Sequence, residues 1–520
     1  MEEEESSDTP LLPRSSSAPG SDSTISTIGE EDEEVEGYSR RNHSHKTTLQ
    51  HRIAEFFRLD KTDDTHAATR PSLTSALLSS APGLSLLDSE DDHLEKALPA
   101  GASGTTNHEE RALHRFLLRL ALALHMYGAP ANKTEGKMMY VCERLGLQAA
   151  FIVFPTTIVV SLGKADFSSS QTYLLSDSPS LHCEKLYWVN RLANDVAAEK
   201  LTIDEAEFQL QCIIKGQDRF NPLWTFVGDA IFAAGIVPLF FKGGWRDVPL
   251  AGFMGFMVST LCWLSGKWPA LAATLEVVSA FMVTVLTTLW SQFVVVSCVP
   301  GVTLGGIVAL LPGLRMTIAV QEMAEQSIVS GSARMFSAFI IFIELGFGLA
   351  IGGRFLTWVN PHEPAELCGE HLLSAWWNFL FLPLCCISSS VQTKAHPWHW
   401  FPMGVVAVVG YAISWATTEH LNFQPDTSAA LAAFGVGVLA NFWSRYNRHP
   451  TIIYTIAGIL LLVPGSMGLK GVASLLQNEV VEGINFGFKM IVISLSIAVG
   501  LVIASLIFRT KSRRRQTKSL

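Results

Sequence analysis

The sequence predicts a membrane all-α protein: about ten transmembrane helices arranged as an inverted 5+5 repeat, preceded by a small soluble α+β domain and a disordered tail. Three observations carry this reading. The 520-residue chain is 48% hydrophobic and 16% charged, with positive mean hydropathy. Beyond Asn221, apolar runs of roughly 16–24 residues follow one another, the length that crosses ~30 Å of hydrocarbon. Finally, "VALLPGLRMTIAVQEMAEQSIVSGSARM" and "ILLLVPGSMGLKGVASLLQNEVVEGINFGFKM" share one pattern: an apolar run, Pro-Gly, a more polar stretch, and a glycine nineteen residues after the proline.

Residues 1–108 are rich in Ser, Thr, Asp and Glu, as in "GEEDEEVEG", a composition that buries too little surface to offset chain entropy. This stretch carries much of the formal charge of −9, and it argues against nucleic-acid binding. The opening "MEEEESSDTPLLPRSSS" has no apolar core of the kind a cleavable signal needs. Its "DTPLL" resembles an acidic dileucine sorting signal. Residues 110–215 alternate between two periods. "HRFLLRLALALHMYG" and "EGKMMYVCERLG" have helical spacing, "QAAFIVF", "TTIVVSLG" and "SQTYLLS" read as strands, and "EKLYWVNRLANDVAAEK" and "TIDEAEFQLQCII" return to helix. Thr202 and Glu205 form a capping-box pair at the start of the last one.

Ten apolar segments follow: 223–241, 249–264, 270–289, 293–312 and 333–352 in a first membrane half (221–354), and 375–391, 400–417, 427–443, 451–464 and 486–508 in a second (372–508). A basic tail occupies 509–520. A shift of 152 residues superposes Trp224 on Trp376, Gly252 on Gly404, Thr303 on Thr455, Gly306 on Gly458, Pro312-Gly313 on Pro464-Gly465, Gly331 on Gly483 and Gly348 on Gly500. Five spans per copy is odd, so the two copies cross in opposite senses, an architecture of secondary transporters. Pro lacks a backbone donor and Gly weakens a helix, so each Pro-Gly breaks a span, and the freed backbone must face protein or a wet cavity. Pro312, Gly313, Pro464 and Gly465 are therefore substrate-site candidates, against the plainer account of two interfacial bends.

Lysines and arginines of the loops barely favour a cytosolic amino terminus; the tail "RTKSRRRQTK" decides it and places both termini in the cytosol. The loop with Glu363, Glu366 and Glu370 then faces outward or into an organelle, in a plasma membrane or a vacuolar/lysosomal-type one. Asp229, Glu276 and Glu344 fall inside apolar segments, where a carboxylate costs a few kcal/mol and is usually functional. They are proton-coupling candidates, Glu276 first because it sits about two turns into its segment. The competing account is a carboxyl hydrogen-bonded to a neighbouring helix. Glu322 and Glu325 follow the first Pro-Gly and either line a vestibule or coat an exposed turn. Eight cysteines show no disulfide framework and no zinc spacing, and Cys385-Cys386 reads as apolar packing. "HPWHW" at 396–400 reads as an interfacial aromatic anchor. No nucleophile motif, Walker loop or cofactor motif occurs, so the chain reads as no enzyme, with a proton gradient as its energy source.

"YGAPANKTE" at 127–135, "LLPGL", "IVSGSARM" and "LLVPGSMGLKG" resemble the threonine/serine exporter family over about residues 110–508. The resemblance implies a cytosolic N-terminal domain joined to two five-helix halves, and proton-driven export of threonine, serine or similar solutes. The partners expected are therefore a small amino acid and the lipid bilayer, with self-association left open. One departure is plain. Where bacterial members carry a Thr-Asn-Ala-Ile-Arg-Asp-like run, this chain has Thr317-Ile318-Ala319-Val320-Gln321-Glu322, which keeps the acidic end alone. The rival classes are a passive pore and a membrane-anchored regulator that does not transport.

Overall fold

The computed structural model describes residues 105–163, 171–177, 179–241, 243–294, 297–359, 374–447, 449–462 and 480–516. The tail expected at 1–108 lies almost wholly outside them, as do Pro464, Gly465 and the acidic loop at 363–370.

The first elements are α1 (Thr105–Met126), α2 (Ala131–Arg144), β1 (Gln148–Val153), β2 (Thr157–Gly163), β3 (Gln171–Ser176), α3 (Cys183–Ala197) and α4 (Ile203–Lys215). The strands form one antiparallel sheet in the order β1-β2-β3, with Phe151 opposite Val160 and Val160 opposite Tyr173. Alternation decides its inner face: Ile158, Val160 and Leu162 are buried along β2 and share a core with Phe116, Leu120, Leu186, Val189 and Leu210 from the helices. The capping box at α4 forms as expected, Glu205 N donating to Thr202 Oγ1 and Thr202 N to the Glu205 carboxylate. Gly128 closes α1 at φ +89°, where a Cβ would sit 3.0 Å from Leu181 Cδ1 and 3.3 Å from Ser180 O.

The apolar helices are α5 (Pro222–Phe240), α6 (Asp247–Ser265), the single turn α7 (Pro269–Ala272), α8 (Leu275–Phe293), α9 (Val299–Gly306), α10 (Gly313–Ala324) and α11 (Ile328–Val359). After them come α12 (Asn378–Gln392), α13 (Pro397–Glu419), α14 (Pro425–Asn447), α15 (Thr451–Leu462) and α16 (Val480–Gln516). Seven are long and apolar enough to cross a membrane: α5, α6, α8, α11, α13, α14 and α16. An eighth span results if the bent pair formed by α9 and residues 308–324 counts as one. The sequence reading of about ten is thus met in part. Helices α12 and α15, with 15 and 12 residues, are apolar but short as straight spans, about 22 and 18 Å.

Two local differences have physical causes. The segment expected at 270–289 is not one helix: Pro269 starts a single turn that ends at Ala272, and a new helix begins at Leu275. The segment expected at 293–312 breaks after Gly306, runs through a 3-10 turn at Val308–Leu310, and resumes at Gly313 behind Pro312, a bend of 51°.

Glycines 152 residues apart make matching close approaches. A Cβ on Gly306 would meet Met254 Cβ at 2.7 Å and Val283 Cγ1 at 3.1 Å; on Gly458 it would meet Val436 Cγ1 at 2.6 Å and Val406 Cγ1 at 3.3 Å. Val406 is the counterpart of Met254 at the same offset. On Gly348 a Cβ would lie 2.4 Å from Val277 O, and on Gly500 also 2.4 Å from Ala430 O. So α11 packs on α8 as α16 packs on α14, each through a glycine that lets backbone meet backbone.

Cys298 is disulfide-bonded, contrary to the expectation from spacing, because the chain brings together cysteines that no local motif links. Cys385 and Cys386 are buried thiols, and Cys385 Sγ fills the space a Cβ on Gly235 would need, at 2.6 Å. Of "HPWHW", Trp398 is 83% exposed, as an anchor requires, whereas His399 is buried against Tyr454.

Candidate functional site

The first-half carboxylates sit on three different helices, α5, α8 and α11. Asp229 lies in α5, where Ser259 Oγ of α6 and Gln392 Nε2 of α12 both donate to it. It therefore joins three helices, two from the first apolar set and one from the second. Glu344 lies sixteen residues past the start of α11. Glu276 is not two turns in but in the first turn of α8, because that helix starts only at Leu275; there the helix dipole and unpaired amides favour a carboxylate. Glu276 is within electrostatic range of both Glu344 and Cys262, and Cys262 is within range of Asp229. Glu276 and Glu344 make no hydrogen bond or ion pair with the described residues.

Several hydroxyls break a habit of membrane helices. Ser and Thr usually bond the carbonyl one turn back, as Thr284 Oγ1 does with Ala280 O at 2.8 Å and Thr288 Oγ1 with Thr284 O at 2.9 Å. Ser279 and Thr287 of α8 and Thr303 of α9 are buried with no partner for their hydroxyls among the described residues. Ser494 of α16 is a fourth; buried polar groups are seldom left so, and Thr303 is on the helix that enters the break. Pro312 and Gly313 are themselves buried at the break, and no side chain caps the first amides of α10.

Glu322, a substrate-site candidate, is buried and coats no exposed turn, whereas Glu325 faces a cavity at the end of α10. Glu322 is 1% exposed and fully engaged. One carboxylate oxygen accepts from Ala131 N, the first amide of α2, at 3.0 Å; the other accepts from Ser330 Oγ at 3.1 Å and Arg334 Nε at 3.2 Å. Pro130 offers α2 no side-chain cap, so the cap comes from 191 residues away. Glu325 accepts from Asn132 Nδ2, from Lys133 Nζ at 3.1 Å and from Gln321 Nε2 at 3.1 Å. Residues 127–135 are therefore a docking element: Gly128 turns the chain, Pro130 starts the helix, and Ala131, Asn132 and Lys133 fasten it to the two glutamates. Burial, and next the nearby Arg334 charge, push His125 down to about 4. It stays neutral, leaving Glu322 as the counter-charge of Arg334.

A second clamp holds α3 to the turn after α12. Cys183 N donates to Thr393 O at 3.0 Å and Glu184 N to Lys394 O at 3.3 Å. Asp218 gathers His182 Nε2 at 3.0 Å, Lys185 Nζ at 3.3 Å and Lys394 Nζ. His182 Nδ1 accepts from Lys185 N, so its Nε2 carries the proton given to Asp218. Burial would raise the Asp218 carboxyl, but the hydrogen bonds and charges of His182 and Lys394 outweigh it and hold it far below the usual range. A depressed carboxyl stabilises the fold fully above its unfolded value of about 4 and loses that contribution as pH falls below it. Asp218→Asn is therefore expected to lower the melting temperature by a constant amount from pH 8 to about pH 5, and the gap should shrink below about pH 4. A gap that widens on acidification would refute the clamp.

Sequence reasoning missed Asp247, whose buried carboxylate accepts from Gly244 N at 2.7 Å and Cys298 N at 3.0 Å. The signal was there: an acid at the start of an apolar run is a capping pattern.

Two family models match in tandem. The one described as "Putative threonine/serine exporter" covers residues 115–356, and "Threonine/Serine exporter, ThrE" covers 378–507. The chain is similar to pheromone-regulated membrane protein 10 of Saccharomyces cerevisiae, 29% identical over 412 residues, 76% of this chain and 54% of that protein. To the protein of the same name in Debaryomyces hansenii it is 28% identical over 429 residues, 77% of this chain and 42% of the other. An uncharacterized protein of Schizosaccharomyces pombe is 25% identical over 425 residues, 77% and 56%. The match thus spans about half the length of these relatives. No solved structure matches the chain.

Proposed function

The chain belongs to the threonine/serine exporter family, and from that membership we propose that it is a secondary active transporter exporting small amino acids of the threonine and serine kind, driven by protons. The observation that carries this reading is the buried break between α9 and α10. It leaves the first amides of α10 without a side-chain cap, and Thr303 of α9, the helix that enters the break, has a hydroxyl with no partner among the described residues. Uncapped amides at a helix start suit a substrate carboxylate. Glu344, midway along its span, and Glu276 behind it are the groups that would take up and release the proton.

The architecture we propose is the inverted 5+5 repeat, with the region of 110–215 as a cytosolic domain. The matched approaches at Gly306 and Gly458, and at Gly348 and Gly500, support the repeat. A disulfide at Cys298, between α8 and α9, supports placing that connection away from the cytosol, since disulfides persist outside it. The halves meet where Asp229 takes hydrogen bonds from both α6 and α12, so rocking of one half on the other would work against these bonds.

The test is threonine and serine flux from proteoliposomes with and without a pH gradient. Gradient-dependent flux is expected, and Glu344→Gln should fold normally yet lose the dependence. Equal flux with and without the gradient would replace the transporter by a pore. Absence of any flux would move the function to the sheet-bearing region.

A further inference from the structure

At the end of α10 away from the break, α2 and α3 lie over α14, α15 and α16 and enclose a cavity of about 230 Å³. That is below the ~300–1,000 Å³ of pockets for drug-sized molecules, so it suits a small solute. Its walls carry Lys133, Lys137, Asn190, Glu325 and Asn441 among apolar side chains.

The charges are unevenly matched. Glu325 is occupied by Asn132, Lys133 and Gln321, and Lys133 is neutralised in that group. Lys137 is left over. Its ammonium has three donors, gives one to Asn194 Oδ1 at 2.7 Å, and has no carboxylate within ion-pair reach among the described residues. Burial lowers its proton affinity, the strain of a cation short of a counter-charge. Asn190 makes no hydrogen bond within the described residues. Asn441 spends its amide on Gly437 O at 2.7 Å, which leaves its carbonyl oxygen as an acceptor. An unneutralised cation, a free amide and a free acceptor around a small void are the complement of a small amino acid.

We propose that this cavity is a second amino-acid site, separate from the helix break, in which Lys137 takes the carboxylate and the occupant bridges α2 to α14. The two sites stand at opposite ends of α10, roughly 18 Å apart by helix rise. Occupancy would hold the sheet-bearing layer against the bundle and so report solute concentration to the bent helix. The choice of an amino acid among small carboxylates rests on the transport reading; the cation-lined site itself does not.

The experiment titrates the full chain in lipid nanodiscs with L-threonine, threonine methyl ester and lactate, following heat of binding. Threonine should bind, and the ester, which lacks a carboxylate, should not. Lys137→Met should weaken one class of threonine binding by roughly tenfold or more, the effect of one charge-assisted hydrogen bond, and Lys137→Arg should restore part of it. Lys200→Met, an exposed lysine paired with Asp195 and outside the cavity wall, should bind as wild type does. Should Lys137→Met fail to accumulate, Asn441→Leu, across the cavity on another helix, gives the same reading. Threonine binding indifferent to both substitutions, or none at all, overturns the site even if gradient-driven flux is measured. Binding that depends on Lys137 in a protein without flux keeps the site and removes the transport reading. Lactate binding as tightly as threonine overturns the amino-acid assignment.

Discussion

Glu322→Ala should cost about 2–4 kcal/mol, because it leaves the part-buried Arg334 guanidinium without its counter-charge and the first amide of α2 without an acceptor. It is expected to be the most damaging single change outside the apolar core. Glu322→Gln keeps one oxygen to accept from Ala131 N, while its NH2 can only donate to Ser330 Oγ, so it should fall between wild type and Ala. Combining Glu322→Gln with Arg334→Met removes the orphaned cation and should recover part of the loss, the signature of coupled groups. The measurement is thermal unfolding together with limited proteolysis at residues 127–135, which the loss of docking would open. If Glu322→Ala melts with wild type and resists protease equally, the carboxylate does not fasten α2 to α10 and α11.

What was legible in the sequence is whatever a local pattern decides. The alternation of Ile158, Val160 and Leu162 gave the face of β2, and Thr202 with Glu205 gave the start of α4. The apolar runs gave most of the spans, and Pro312-Gly313 gave a real break. What was hidden depends on partners distant in the chain. Glu322 follows a helix break and reads as part of a turn, and nothing nearby announces that its partner is an amide at Ala131. Glu276 looked deep because its run is apolar from Leu271 onward. The helix begins four residues later than the run, and that moves the carboxylate from the interior of a span to its first turn.

The same contrast separates Lys137 from Lys133. Both sit on α2 four residues apart, on one face, and the sequence treats them alike. Only the packing of α10 gives one of them a carboxylate and leaves the other without. The family's signature at 127–135 thereby acquires a physical meaning: it is the part of the sheet-bearing layer that seats on the helix following the break.

Pro312→Ala combined with Gly313→Ala should insert in the membrane at least as well as wild type and lose most transport. The substitutions raise helix propensity by about 3 kcal/mol for Pro and about 1 kcal/mol for Gly, which favours one continuous helix from Val299 to Ala324. Straightening is resisted on both sides of the break, and α10 is held by Glu322, Glu325 and its packing on Gly331. Gly305 and Gly306 are wedged, a Cβ on Gly305 lying 2.2 Å from Val237 Cγ2 and one on Gly306 2.7 Å from Met254 Cβ, so straightening that leaves α9 in place displaces α10 against its own contacts. A moving α10 carries Glu322 and Glu325 with it. The double variant should therefore lose flux and also loosen residues 127–135, a pairing of effects that a break without function would not give. The matched change, Pro464→Ala with Gly465→Ala, should lower flux similarly if the two halves share the work of a repeat. The deciding quantity is gradient-driven flux divided by the amount of folded, inserted protein. A ratio near wild type in both double variants would make each Pro-Gly a bend and nothing more, and the substrate would then have to be sought away from α10.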